Sequence, residues 1–518
     1  MRRLAAACVV FLACSEGSAP VDSTAQGTEV GATPAGGTAP SGGAGSPAVA
    51  AAGGAGAGTT TKPSAGGAGA MAADAGSAGI AAAGAGGETE GASGSAAGAG
   101  GEAAGASGSA AGAGGETAGA SGSAAGAGGE TAGTSGSAAG AGGMMASAAP
   151  EVPGCEGSTL LELPADTSVR GPWPIGTKTV KFGRFSNVEV FYPAEPGSEQ
   201  GATELEYDMR VFLPEREQQK VPDDQATLVK ARTYQDLPLD TGHGPYPVMI
   251  FVHGTASFRL RSLSSATLWA SRGFVVMAGD HPNLYLADYL GSNGCNLSVP
   301  RLDLSGDVDS EIAALSDPQE DLAFLKDHID MQRVALAGHS AGAYNVAQFT
   351  SKPGIQMVVA LSGTRAVSAS ETLKSILYVS GRDDNVLPYG PGGAGIGTIL
   401  YPGSSTDAYN RSPGPSAVKK RLVGIDNGGH LNVVDGCAKN AMGKTGIQVA
   451  QDNGVCGASS VAPLADCGSV DPGKAISITN EIITAALEET LQCQDRAAWI
   501  TALPMRHPEV NDFHEDTN

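Results

Sequence analysis

The residue with the clearest chemical potential is Ser340, in the pentapeptide Gly338-His339-Ser340-Ala341-Gly342. A serine hydroxyl is a weak nucleophile at its ordinary pKa. To transfer an acyl group it needs a base within reach, and a carboxylate to orient that base. Downstream lie two adjacent carboxylates, Asp383 and Asp384, in Gly381-Arg382-Asp383-Asp384-Asn385, and then His430 in the stretch Asp426-Asn427-Gly428-Gly429-His430. In a chain with 77 glycines a lone G-x-S-x-G says little. Its setting says more: the buried-strand pattern Arg333 to Ala337 runs into it, and a helix-compatible stretch, 341–350, runs out. Strand, tight turn and helix together make a nucleophile elbow, in which the positions two away from the serine must be small.

The elements that would hold such a site recur along the chain. Val188 to Tyr192 and Tyr207 to Leu213 alternate in polarity, as outer antiparallel strands do. Pro247 to Val252, Phe274 to Ala278, Arg333 to Ala337, Met357 to Leu361, Ile376 to Ser380 and Arg421 to Ile425 are mostly continuous apolar runs, the mark of strands covered on both faces. Helical patterns fall between and after them, near 263–272, 317–328, 341–350 and 478–493. In the last, Ile478, Ile482, Ile483, Ala486 and Leu487 form one apolar stripe. The alternation predicts an α/β protein with a mostly parallel, doubly wound sheet.

The elbow, together with YPVMIFVHGTASF at 246–258 and SRGFVVMAGDHP at 271–282, resembles α/β hydrolases of the dienelactone-hydrolase and platelet-activating-factor-acetylhydrolase type, to which bacterial cutinase-like polyester hydrolases are related. GPWPIGTKTV at 171–180 and VEVFYPA at 188–194 resemble the opening of the same enzymes, and the likeness extends over about 168–432. It implies the α/β-hydrolase fold and the chain order serine, acid, histidine. His243, His253, His281, His328 and His339 precede the acid, and His507 and His514 follow the last helical segment in a polar tail, which leaves His430 as the base. The resemblance places the acid four residues before the loop proline, so Pro388 selects Asp384 over Asp383. It also implies an oxyanion hole built from the backbone N–H groups of Ala341 and Thr255, and a structural rather than catalytic His253.

Composition divides the chain. The first 17 residues, MRRLAAACVVFLACSEG, read as a signal with a basic start and a short apolar stretch, and Phe11-Leu12-Ala13-Cys14 resembles a lipoprotein lipobox that would lipidate Cys14. Residues 15–154 are poor in large apolar side chains. From Glu88, Glu102, Glu116 and Glu130 near-copies of a 14-residue Gly/Ala/Ser unit follow one another. Such a segment buries too little to offset its ordering entropy, and as a flexible coil it would reach about 60–70 Å. The expected organisation is a signal over 1–14, a disordered stalk over 15–154 and a hydrolase domain over 155–518. The domain holds Cys155, Cys295, Cys437, Cys456, Cys467 and Cys493, an even set that in an exported protein reads as disulfides, with the last four stapling the tail. The net charge of −22 without a Lys/Arg run excludes nucleic acid as a natural partner.

These readings converge on an exported serine hydrolase that cleaves a small-molecule, lipid or polymer ester through an acyl-enzyme. It would need no cofactor or metal, and a lipidated Cys14 would tether it to a membrane, at the bacterial outer membrane or cell surface; with an ordinary secretory signal and an incidental cysteine it would instead be secreted. A peptidase or amidase with the same three residues, and a non-catalytic surface binding module, are the competing readings. The Gly/Pro-rich insertion 389–417 either shapes the pocket or forms a surface loop.

Overall fold

The computed structural model describes residues 151–152, 155–291, 302–414 and 418–516. Cys14 and the stretch 15–150 of the expected stalk lie outside the described residues, as does Cys295; Glu151 and Val152, placed in the stalk by composition, form a short strand. The main body is an eleven-stranded sheet. In chain order the strands are β1 (Glu151–Val152) and β2 (Cys155–Thr159), which form a separate antiparallel pair, then β3 (Ile175–Val180), β4 (Val188–Pro193), β5 (Glu204–Asp208), β6 (Leu228–Gln235), β7 (Tyr246–Val252), β8 (Val275–Gly279), β9 (Ile329–His339), β10 (Ile355–Leu361), β11 (Ser375–Gly381), β12 (Lys419–Ile425) and β13 (Asp512–Asp516). Their order across the sheet is β13-β12-β11-β10-β9-β7-β8-β4-β3-β6-β5. The run from β8 through β7 and β9 to β12 is parallel throughout, while β4 joins β8, and β13 joins β12, antiparallel.

The parallel strands are the continuous apolar runs of the sequence because both faces are covered. In β7, Ile250 enters one hydrophobic core while Met249 and Phe251 enter the other. The first core is closed by the helix Leu304–Ser316 and the second by the helices Leu263–Ser271 and Pro472–Leu491. The last of these starts with Asp471 capping the Lys474 N–H at 2.8 Å and Pro472 in its first turn, and buries Ile478, Ile482 and Ile483. Each such side chain contributes about 1.5–3 kcal/mol. A smaller third cluster packs Val449, Ala450, Val455, Ala458 and Val461 of the tail against Ala256, Tyr289 and Leu290.

Several elements depart from the sequence pattern. The alternation Tyr207 to Leu213 is strand only as far as Asp208, whose carboxylate accepts the Arg210 N–H at 2.9 Å and turns the chain into the 3-10 turn Met209–Phe212. A local side-chain cap there outweighs polarity alternation. The helix expected near 317–328 is instead a 3-10 turn, Glu320–Leu325, behind the true helix Leu304–Ser316. Asp317 precedes Pro318, which disfavours helical backbone at Asp317 and ends that helix. The helix after the elbow stops at Val346 rather than near 350. The tail beyond residue 491 is not a polar appendage: it carries the short helices Ala497–Thr501 and Leu503–Arg506 and returns as the edge strand β13, where Glu515 bonds the buried Arg421 at 2.8 Å. His507 is buried in hydrogen-bond contact with Glu481, and His514 lies on β13.

Cys155 is bonded to Cys493 and Cys437 to Cys467, and Cys456 is also disulfide-bonded. The staple is therefore broader than the tail alone, since Cys493 is tied to β2 at the start of the domain. Among the described residues no helix is long and apolar enough to cross a membrane.

Candidate active site

Ser340 sits where β9 ends, with φ 55° and ψ −117°. A non-glycine residue held there stores about 1–3 kcal/mol of strain, which surrounding contacts must over-determine. They do so closely: the Ser340 N–H donates to Leu361 O at 2.9 Å, and the positions two residues away on either side have no room for more than glycine. A Cβ on Gly338 would lie 2.5 Å from the Gly342 carbonyl carbon, and one on Gly342 would lie 2.1 Å from Val252 O and 2.8 Å from His253 O. The same crowding presses the loop after β7, which carries Thr255, onto the elbow. Ala341 opens the following helix, where the first N–H groups have no partner within the helix itself.

Asp384 and His430 come from the loops after β11 and β12. His430 Nδ1 lies 2.8 Å from Asp384 Oδ2, with both side chains buried. The other carboxylate oxygen accepts the backbone N–H groups of Val386 and Leu387, each at 2.8 Å, so the acid is held from both sides. Asp383, the competing carboxylate, is exposed and contributes its backbone N–H to Gly428 O at 2.9 Å. With Nδ1 turned to Asp384, the His430 Nε2 is the nitrogen left for a reacting group. Ser340, Ala341, Thr255, Asp384 and His430 thus all stand at the carboxyl edge of the parallel strands, where ligands of open α/β sheets bind.

Two further histidines brace this edge. His253 Nδ1 lies 2.8 Å from Gly254 O, while its Nε2 accepts the His281 N–H at 3.1 Å. A backbone N–H can only donate, so the imidazole is neutral with its proton on Nδ1. The carbonyl it grips belongs to the peptide whose N–H is that of Thr255. His339 Nε2 bonds the backbone carbonyl of His430 at 3.0 Å, and the two rings lie 4.8 Å apart. Burial, and then the neighbouring imidazole, pushes both His253 and His339 well below the usual histidine range.

The insertion folds against the acid loop as far as it is described. Ile396 and Gly397 donate their N–H groups to Asn385 O and Val386 O at 3.1 and 3.0 Å. Tyr401 then brings its hydroxyl to 3.5 Å from Thr255 Oγ1 and its ring to 5.2 Å from Tyr344, on the helix behind Ser340. Ile399 and Leu400, just before it, are 83% and 45% exposed. Neither Tyr401 nor His339 stood out in the sequence, because their contacts join segments distant along the chain. The one available signal was the position of the insertion directly after the acid loop.

Residues 167–284 match the family model for platelet-activating factor acetylhydrolase, isoform II. The match includes His253 and Thr255 and ends before Ser340. No curated protein sequence matches the chain. Among solved structures, a ferulic acid esterase from Streptomyces cinnamoneus aligns with a TM-score of 0.45 and 16% identity, over 67% of this chain and 97% of that one. Elbow, parallel sheet and element order give the chain the α/β-hydrolase fold, and over 167–284 it is similar to the platelet-activating factor acetylhydrolase, isoform II, family.

Proposed function

We propose that the chain hydrolyses carboxylic esters through an acyl-enzyme on Ser340. The observation that carries this reading is the buried 2.8 Å contact of His430 Nδ1 with Asp384 beside a serine held on a strained turn. Ser340 Oγ attacks the ester carbonyl while its proton passes to His430 Nε2, and the carbonyl oxygen becomes an oxyanion. The N–H groups of Thr255 and Ala341 stabilise that charge, each donor being worth about 10²–10³ in rate. The alcohol leaves with the proton from His430. Water, deprotonated by the same nitrogen, then releases the acid and restores Ser340. Asp384 stabilises the imidazolium formed in each half-reaction. Tyr344 and Tyr401 near the site and the exposed Ile399 and Leu400 beside them favour an ester with an apolar acyl or alcohol part.

The test is labelling of the purified protein with a fluorophosphonate, and hydrolysis of acyl esters of graded length, matched amides and a polyester film. Wild type labels once and cleaves esters faster than amides, and Ser340→Ala abolishes both. Labelling or turnover that survives the substitution overturns the assignment.

The disulfides fit an oxidising compartment, as in an extracellular protein. We extend the proposal to export with a lipid on Cys14 and the stalk as a spacer. The mass of the mature N-terminal peptide checks it: a diacylglyceryl cysteine at position 14 supports the tether, and any other mature terminus rejects it.

A further inference from the structure

The tail segment between Cys437 and Cys467 lies beyond both the family match and the stretch that carries the sequence resemblance. It leaves the site at the 3-10 turn Asp435–Cys437 and forms the helices Gly446–Asp452 and Ala458–Val461. Their apolar faces pack on Ala256, next to Thr255, and on Tyr289. The segment then comes back at Asp466, directly before the bridged Cys467.

Asp466 touches both catalytic loops at once. Its Oδ2 accepts the backbone N–H of Asn385 at 2.8 Å and the backbone N–H of His430 at 3.3 Å, and lies 3.5 Å from the Asn385 side-chain amide. Its main-chain carbonyl accepts the Leu431 N–H at 2.8 Å, and Oδ1 accepts the Gly468 N–H at 3.4 Å. One carboxylate thus joins the residue that follows the acid to the base itself.

We propose that Asp466 is a positioning residue that sets the distance between the Asp384 and His430 loops, and that the Cys437–Cys467 bridge holds it in place. The proposal rests on the acyl-enzyme reading of Ser340, Asp384 and His430. Asp466 reaches backbone N–H groups rather than reacting atoms, so it acts through the imidazole. Its removal lets the His430 loop drift, and a displacement of about 1 Å at a reacting group can cost about 10²-fold in rate.

The experiment compares wild type, Asp466→Ala, Asp466→Asn, the double variant Cys437→Ser/Cys467→Ser and Ser340→Ala, all as the full chain. The readouts are kcat, KM, the fluorophosphonate labelling rate and Tm. Asp466→Ala lowers kcat and the labelling rate together by about 10- to 100-fold, with KM within about threefold and assays run well below Tm. Asp466→Asn recovers most of the loss, because a carboxamide oxygen still accepts both N–H groups. The double cysteine variant loses kcat in the same direction. Wild-type kcat in Asp466→Ala overturns the clamp, and so does a loss that Asn fails to recover. Full activity in the cysteine variant overturns the role of the bridge. If Ser340→Ala is inactive, these failures belong to Asp466 alone; if Ser340→Ala retains turnover, the acyl-enzyme reading and the clamp both fall.

Discussion

Asp383 and Asp384 are neighbours in sequence and opposites in environment, which makes them a sharp test at the scale of single residues. Asp384 is buried with both oxygens occupied, one of them by His430, whereas the Asp383 side chain is exposed. Asp384→Asn is expected to lower kcat by about 10³–10⁴, since an amide neither stabilises the imidazolium nor selects the right tautomer. Asp383→Asn should stay within about tenfold of wild type. Steady-state kinetics on the two variants decides, and a reversed ranking would mean that the acid is misassigned. The choice between them was legible only through the spacing to Pro388. Ser340 and His430 were legible from the elbow pattern and from chain order. Asp466 and His339 were not, because each acts on a backbone group of a segment far away in sequence; Asp466 belongs to no local motif, and His339 occupies a position of the pentapeptide that the motif leaves open.

At the scale of elements, what sequence revealed depends on how fully each element is buried. Strands β7 to β12 read as continuous apolar runs because both of their faces are covered, and they appear within a few residues of where they were expected. β13 reads Asp-Phe-His-Glu-Asp and is invisible to any hydrophobic pattern. It exists because β12 offers an open edge and Arg421 a buried charge to pair with. The elbow is the element whose geometry tolerates least. Gly342→Ala would thrust a methyl group into the Val252 and His253 carbonyls and lift the Thr255 loop off Ser340. The expected outcome is at least about 10²-fold loss of kcat/KM, together with about 1–3 kcal/mol of lost stability from overpacking. Denaturant unfolding and kinetics on the one variant check both, and near-wild-type kcat/KM would show that the loop is not held by this contact.

For the molecule as a whole, acid–base behaviour is governed by groups that the net charge of −22 does not reveal. Glu311, on the helix Leu304–Ser316, is buried, and neither of its oxygens has a hydrogen-bond partner among the described residues. Burial, and secondarily Asp307, raises its pKa well above 4.5, so the folded state keeps a proton that the unfolded state releases. Its contribution to stability is therefore complete below about pH 4.5 and is lost as pH rises towards the folded-state pKa. His253 and His339 act in the opposite sense: their depressed values make stability fall as pH drops below about 6.5. Glu311→Gln removes only the first effect. Its stability relative to wild type should rise between pH 5 and pH 8, by up to about 1.4 kcal/mol per pH unit, as read from urea unfolding across that range. A gap independent of pH would mean that Glu311 is ionised in the folded protein. The Cys155–Cys493 bridge, spanning 338 residues, has a mechanical consequence. A pull applied between residue 155 and the C-terminus passes through the sulfur–sulfur bond and bypasses the central sheet. The chain after Cys493 pays out first, each released residue adding about 3.6 Å. β13 peels from β12 first, and once it has detached the edge that holds Ser340, Asp384 and His430 carries no load until the bridge is broken.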